Sequence, residues 1–252
     1  RGLGDVYKRQ AGDYKDVADC GLIIITAGAN QKPGETRLDL IEKNVGILKS
    51  IVPQITATAF EGILMIVANP VDVLTYAAQQ ISGYPVERVF GSGTVLDTAR
   101  LKYQVGRHLD VDSRSVHAVI IGEHGDSELP VWSGANVSGI DLNHFCELRG
   151  HFNHEASMER LYEEVRDSAY EIIERKGATY YGIAMAVARI AESIVKDEHA
   201  VLPVWWNCRE STVCPVWHSA SRRWSARTES RRCLRFRSMR RRKMHFLRRQ
   251  TS

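Results

Sequence analysis

The sequence predicts an α/β fold, a parallel sheet with its helices between the strands, followed by an α+β half. Three observations carry this. Apolar, β-branched runs recur at residues 19–28, 62–68 and 88–90, each closing on glycine or Asn-Pro. Segments of helical period separate them. No apolar/polar alternation runs through the strands, as expected when both sheet faces are covered.

In chain order, residues 19–28 (DCGLIIITAG) read as a buried parallel strand. A polar loop containing Pro33 and Gly34 follows. Leu38, Leu40, Ile41, Val45, Leu48, Ile51, Val52 and Ile55 then recur at helical spacing, so residues 38–58 read as an amphipathic helix bent at Pro53. Residues 62–68 (GILMIVA) form a second strand ending at Asn69-Pro70, where proline holds its neighbour extended. A helix over 71–80 and a short strand at 88–90 lead to Gly91-Ser92-Gly93. The next helix runs from Thr94 to about residue 109. Residues 115–121 read as a strand entering a buried sheet, and 132–140 as a second strand region. Long helices are expected at about 154–175 and 179–196, split by Lys176-Gly177, before a strand begins at 199–204. Ligands of parallel sheets bind at the carboxyl ends of the strands, which places the loops at Gly28, Asn69 and Gly91 at such ends.

At 252 residues and 44% hydrophobic, the chain is long enough for a sizeable core. No apolar run reaches the roughly 18 residues of a spanning helix, and no signal peptide is recognisable. Five cysteines without a C-x-x-C pair argue for a reducing compartment, taken as cytoplasmic, and against a disulfide framework or a metal site. The net charge of +4 is unevenly spread. Residues 204–252 hold 13 Arg, one Lys and two Glu, a net of +12, which leaves −8 on the first 203. The same stretch holds four of the five Trp and three of the five Cys, so two differently composed segments are joined.

Candidate chemistry centres on Ile120-Ile121-Gly122-Glu123-His124-Gly125. A histidine between two glycines at a strand end can point into a cleft and titrates near neutral pH, which suits a general acid/base. The plain alternative is a loop histidine without a role. Asp97 and Arg100 lie three apart and share a helix face, as a surface ion pair would. Their helix follows a sheet-end glycine turn, so Asp97 can instead orient His124 and raise its pKa, and Arg100 can clamp a carboxylate through two hydrogen bonds. The loop at residues 30–37 supplies Arg37; it is a solvated loop or a lid hinged at Pro33 and Gly34.

Four blocks, ITAGANQKPGETRLDLIEKN (25–44), NPVDVLTY (69–76), GSGTVLDTARLKY (91–103) and SVHAVIIGEHGDSELPVWS (115–133), resemble the bacterial L-lactate dehydrogenases. The match covers roughly residues 11–203; malate dehydrogenases are the sister family. The resemblance implies a partial Rossmann-type sheet and an NAD-dependent interconversion of lactate and pyruvate. It makes His124 the proton acceptor, Asp97 its orienting partner, and Arg100 the binder of the substrate carboxylate. Arg37 would polarise the ketone, Asn69 would bond the substrate oxygen, and Thr179 would line the pocket near Ile183. Gly28, Ala29, Ser50, Val67, Ala68, Asn69 and Ser92 match cofactor-touching positions. Gln31 stands where malate enzymes carry arginine, so a second substrate carboxylate would be unpaired; lactate is preferred and malate is the alternative. Lys102 and His117 match the arginine and histidine that bind fructose 1,6-bisphosphate in activated members. The resemblance also implies a homotetramer.

The chain departs from the family at both ends. The G-x-G-x-x-G turn that seats a pyrophosphate is absent; Gly2-Leu3-Gly4 has only part of its spacing. Residues 1–10 read as a foreign leader, 11–91 as a partial NAD-binding domain, 92–204 as the substrate domain and 205–252 as a basic tail outside the family, expected to be disordered and an out-of-frame product. As written, such a chain is expected to bind NAD weakly and to have little activity. A contrasting reading treats it as a non-catalytic remnant whose Arg- and Trp-rich tail binds RNA or anionic membrane; without a recognisable nucleic-acid module, neither nucleic acid nor membrane is the expected partner.

Overall fold

The computed structural model describes residues 11–30, 36–207 and 216–217. Three parallel strands, β1 (Leu22–Ile25), β2 (Ile63–Ile66) and β3 (Val89–Gly91), pair in that order. All four residues of β2 are buried, as its unbroken apolar text requires of a strand covered on both faces. Expected to be buried, β1 is half-covered instead, with Ile24 37% exposed. Among the described residues nothing pairs on its outer side, and β1 forms the edge of the described sheet.

One sheet face is covered by α1 (Arg37–Thr56) and α2 (Val71–Ser82), which pack Leu48, Val52, Ile55, Leu74 and Ala78 on Ile25, Leu64 and Ile66. Thr36 and Asp39 form a capping box that starts α1. Pro53 lies inside α1, and the helix ends at Thr56, two residues before the expected stop. The other face, Ile63, Met65 and Phe90, packs on Ala186 and Ile190 of α6 (Tyr181–Val195) and Val204 of β9 (Val201–Val204).

The central connector is α3 (Val95–Leu109). Val95 at its start belongs to the sheet core, while Leu101, Val105 and Leu109 enter a second core with Leu161 and Val165 of α5 (His154–Lys176). The expected single strand at 115–121 is two short pieces in separate antiparallel sheets. β4 (Val116–His117) pairs with β7 (Asn136–Val137), which pairs with β8 (Ile140–Asp141); β5 (Ile120–Ile121) pairs with β6 (Leu129–Pro130). A helix missed in the sequence, α4 (Leu142–Leu148), follows β8 and is capped by Asp141, whose carboxylate accepts from the Asn143 amide at 2.9 Å. Its Leu142 and Cys146 are buried in the second core.

β9 returns to the sheet edge at Gly91–Gly93. Trp205 exchanges both backbone hydrogen bonds with Gly91, at 2.9 and 3.0 Å, so the pairing runs beyond residue 204. Gly93 has φ +53°, and an added Cβ would lie 2.5 Å from the Pro203 carbonyl oxygen. Only glycine meets both demands. β10 (Val216–Trp217) pairs antiparallel with β9. The proposed leader at 1–10 and most of the tail lie outside the described residues. Among the described residues no helix is long and apolar enough to cross a membrane.

Candidate active site

Two threonines, Thr94 at the N-cap of α3 and Thr98 in its first turn, build the site by holding β5. Thr94 Oγ1 donates to the Ile120 carbonyl at 2.6 Å, and Thr98 Oγ1 accepts from the Ile120 amide at 2.9 Å. The turn after β5 uses Gly122 and Gly125 at φ +99° and +120° and carries His124 back over α3. A third anchor comes from the first turn of α2, where the Asp72 carboxylate accepts the His124 backbone N–H at 3.0 Å.

So held, the ring of His124 places Nδ1 2.6 Å from Asp97 Oδ2. The other oxygen of Asp97 faces the Arg100 guanidinium at 3.4 Å. This is the ion pair expected from the i,i+3 spacing, but it is not on the surface: the Asp97 side chain is 4% exposed and that of Arg100 17%. One carboxylate therefore bonds the acid/base candidate and the cation one helical turn away.

Burial works against the imidazolium of His124, but the hydrogen bond and charge of Asp97, helped by Glu128 and Asp72, outweigh it and raise its pKa above the ordinary value. Asp72 is pushed up to about 6 by burial, despite the His124 amide and charge, which oppose the shift. With Nδ1 engaged by Asp97, Nε2 is the nitrogen that can exchange a proton with a ligand.

The remaining expected residues lie in several places. Gly28, Ala29, Val67, Ala68 and Asn69 gather at the carboxyl ends of β1 and β2, and Ser92 is buried beyond β3 with its amide on the Ile66 carbonyl at 2.9 Å. Gly28 packs so closely that an added Cβ would lie 2.9 Å from that of Ala68. Thr179 is half-buried just before α6, while Ser50 is exposed and its hydroxyl donates to the Ile47 carbonyl of its own helix at 2.7 Å. Lys102 on α3 is half-buried and its pKa lowered by burial; His117 on β4 is exposed. Gln31 and the side chain of Arg37 lie outside the described residues, so the lid reading does too.

Three residues of the site escaped sequence reasoning. Asn44, 1% exposed, accepts from the Ala29 amide at 2.7 Å and donates to the Asn69 carbonyl at 2.8 Å, tying two strand-end loops together. The signal available was a polar residue on the apolar stripe of α1. Asp72 and Glu128, both 6% exposed, lay unremarked within the family-like blocks, and each has one buried carboxylate oxygen without a partner among the described residues.

Residues 3–91 match the family model described as lactate/malate dehydrogenase, NAD binding domain, and residues 94–207 match its alpha/beta C-terminal domain. The chain belongs to the lactate/malate dehydrogenase family. Within that family it is 55% identical over 197 residues to L-lactate dehydrogenase 1 of Lactococcus lactis subsp. cremoris, covering 78% of this chain and 60% of the relative. It is also 55% identical to the L-lactate dehydrogenase of Priestia megaterium, over 77% of this chain and 61% of that one. The minor L-lactate dehydrogenase from Enterococcus mundtii, solved in the ligands-unbound form, superposes with a TM-score of 0.75 at 45% identity, covering 82% of this chain and 67% of that chain. The chain spans about 60% of the length of the curated relatives it matches.

Proposed function

We propose that this chain carries the proton-transfer and carboxylate-binding site of an NAD-dependent L-lactate dehydrogenase, which interconverts L-lactate and pyruvate. The observation that carries the reading is the buried Asp97, with one oxygen on His124 Nδ1 and the other facing Arg100.

NAD, when bound, supplies the acceptor and donor of the hydride. The residues present fit the nicotinamide end of such a group: three strand-end loops leave one edge of the parallel sheet, and Gly28 and Ala68 pack without room for a larger side chain. Gly28, Ala29, Val67, Ala68, Asn69 and Ser92 are the residues that would hold it there, with Ser50 as a more distant contact.

His124 does the proton work. In lactate oxidation Nε2 takes the hydroxyl proton, and Asp97 stabilises the imidazolium that forms. In pyruvate reduction the same proton goes to the carbonyl oxygen. Arg100 holds the substrate carboxylate, Asn69 and Arg37 bond the reacting oxygen, and Thr179 lines the pocket. Arg37, at the start of α1, would add a positive charge where negative charge develops. Glutamine rather than arginine at residue 31 leaves no partner for a second carboxylate, and the named relatives are L-lactate dehydrogenases, so pyruvate is favoured over oxaloacetate.

We extend the reading to a cytoplasmic homotetramer in which Lys102 and His117 receive the phosphates of fructose 1,6-bisphosphate; a half-buried lysine and an exposed imidazole one element apart can attract an anion. The decisive assay is NADH-dependent reduction of pyruvate and of oxaloacetate. It is run on this chain and on a form completed at both ends with the corresponding segments of the Lactococcus lactis relative. Preference for pyruvate is expected in the completed form. Preference for oxaloacetate would transfer the protein to the malate enzymes, and inactivity on both would remove the His124 reading.

A further inference from the structure

One carboxyl group of the site has no part in the reaction described above. Glu128 stands four residues past His124, just before β6, and is 6% exposed. Its backbone is fixed on both sides: its amide donates to the Gly125 carbonyl at 3.1 Å, and its carbonyl accepts from the Tyr162 hydroxyl of α5 at 2.7 Å. The side chain is thereby turned inward, where single atoms of Asp97, His124 and Glu128 lie within 4.8 Å of one another. Oε1 of Glu128 is buried with no hydrogen-bond partner among the described residues.

Such spacing would admit a cation, but the 2.6 Å contact between His124 Nδ1 and Asp97 Oδ2 already holds a proton and uses the lone pair a cation would need. Two ionised carboxylates so close and so buried repel each other, and the arrangement relaxes when one of them takes a proton. Asp97 is compensated by Arg100 and His124, whereas Glu128 has no cation of its own in the described hydrogen bonds and ion pairs. The proton therefore falls to Glu128.

We infer that Glu128 is a second proton-holding group of the site, donating a hydrogen bond to Asp97 while protonated and strengthening the grip of His124 on its proton once ionised. The inference deepens the reading of His124 as acid/base and rests on it for its catalytic meaning. Glu128 acts through Asp97 and His124 and is a positioning residue.

Charge and burial agree with the geometry. Burial first, then the Asp97 charge, push the Glu128 carboxyl up to about 8, with the positive charge of His124 opposing. Asp97 of α3 and His124 of its own loop act on it directly, and its charge is felt by Tyr162 of α5; at one remove are Arg100 on Asp97, Asp72 on His124, and Asp126 and Arg166 on Tyr162. Tyr162 feels the same pocket, its phenol raised by burial and by the Glu128 charge.

The test uses the full chain and needs no turnover. Infrared difference spectra between neutral and alkaline pH should show a protonated-carboxyl band at neutral pH that is lost on raising the pH. The band should be absent in Glu128→Gln and kept in Asp72→Asn. In the same Glu128→Gln protein, NMR titration of the His124 ring should show one ionisation where the unmutated chain shows two, the lost one being the response to Glu128 giving up its proton near pH 8. A band unchanged in Glu128→Gln, or a His124 ring that shows the same ionisations in the variant as in the unmutated chain, overturns the inference. Should that variant not fold, carboxyl-labelled glutamate in the unmutated chain decides the matter: one glutamate titrating near pH 8 supports the inference, and all titrating in the ordinary range overturns it. If the completed enzyme reduces no 2-keto acid, the functional reading falls, while these titrations still decide the proton on Glu128.

Discussion

Asp97 spans two functional groups: its Oδ2 lies 2.6 Å from His124 Nδ1, and its Oδ1 lies 3.4 Å from the guanidinium of Arg100. Asparagine at this position keeps the shape but removes the charge that favours the imidazolium. In the completed enzyme, Asp97→Asn should lower kcat/KM for pyruvate reduction by about 10²–10⁴-fold, the usual range for general acid–base assistance. The His124 titration should move to lower pH, read from the pH–rate profile.

The two directions of the reaction should respond oppositely to pH. Pyruvate reduction needs protonated His124 and should fall as pH rises through its pKa, which the structure places above the ordinary 6.5. Lactate oxidation needs the neutral ring and should rise over the same window. Initial rates in both directions across a pH series check this.

Asn44→Ala should weaken the fold. The variant leaves the Ala29 amide and Asn69 carbonyl without their partner in a closely packed place, at roughly 2–4 kcal/mol for two such hydrogen bonds. Urea unfolding would register the loss. Because the same side chain positions Asn69, KM for pyruvate in the completed enzyme should rise as well.

Gly93→Ala should cost roughly 2–4 kcal/mol, since it combines a positive φ with an overpacked contact. The new Cβ would face the Pro203 oxygen at 2.5 Å and the Trp205 nitrogen at 2.6 Å. Thermal melting should show the loss, and Gly83→Ala is the control: it shares the positive φ but has nothing within 4 Å of an added Cβ.

Stability contributed by two buried carboxyl groups should fall as pH rises from about 3.8 to about 8. Asp72 and Glu128 have folded-state pKa values of about 6 and about 8 against 3.8 and 4.5 for the unperturbed groups. A raised pKa gives a contribution that is whole below the unfolded value and lost as pH climbs through the folded one. The fall from Glu128 should amount to a few kcal/mol at most, and Glu128→Gln should flatten most of it in denaturant titrations repeated at several pH values.

Much of the fold could be read along the chain because its signals are local. GILMIVA announces a strand covered on both faces, and β2 is buried throughout. The helical spacing from Val95 to Leu109 announces α3 and puts Asp97 and Arg100 on one face. The run at 115–121 misled because apolar text does not say where the chain kinks. It breaks between His117 and Ile120, and its halves pair with different partners, β7 and β6. Ile24 is as apolar as its neighbours, yet it is 37% exposed at the edge of the described sheet, since exposure depends on which strands pair and not on residue type.

The sequence by itself determined the α/β rhythm, the catalytic candidates His124, Asp97 and Arg100, and, through four resembling blocks, the family. Backbone preference and hydrophobic period act over a few residues, so they are written locally. Only the tertiary structure decided which groups share a proton. Asp72, Asp97, His124 and Glu128 come from α2, α3 and the loop after β5, and an acid in isolated text has no burial and no neighbour. Desolvation and Coulomb interaction act through space; they distinguish Glu128 from the exposed glutamates only after α3, α5 and the His124 loop have closed around it.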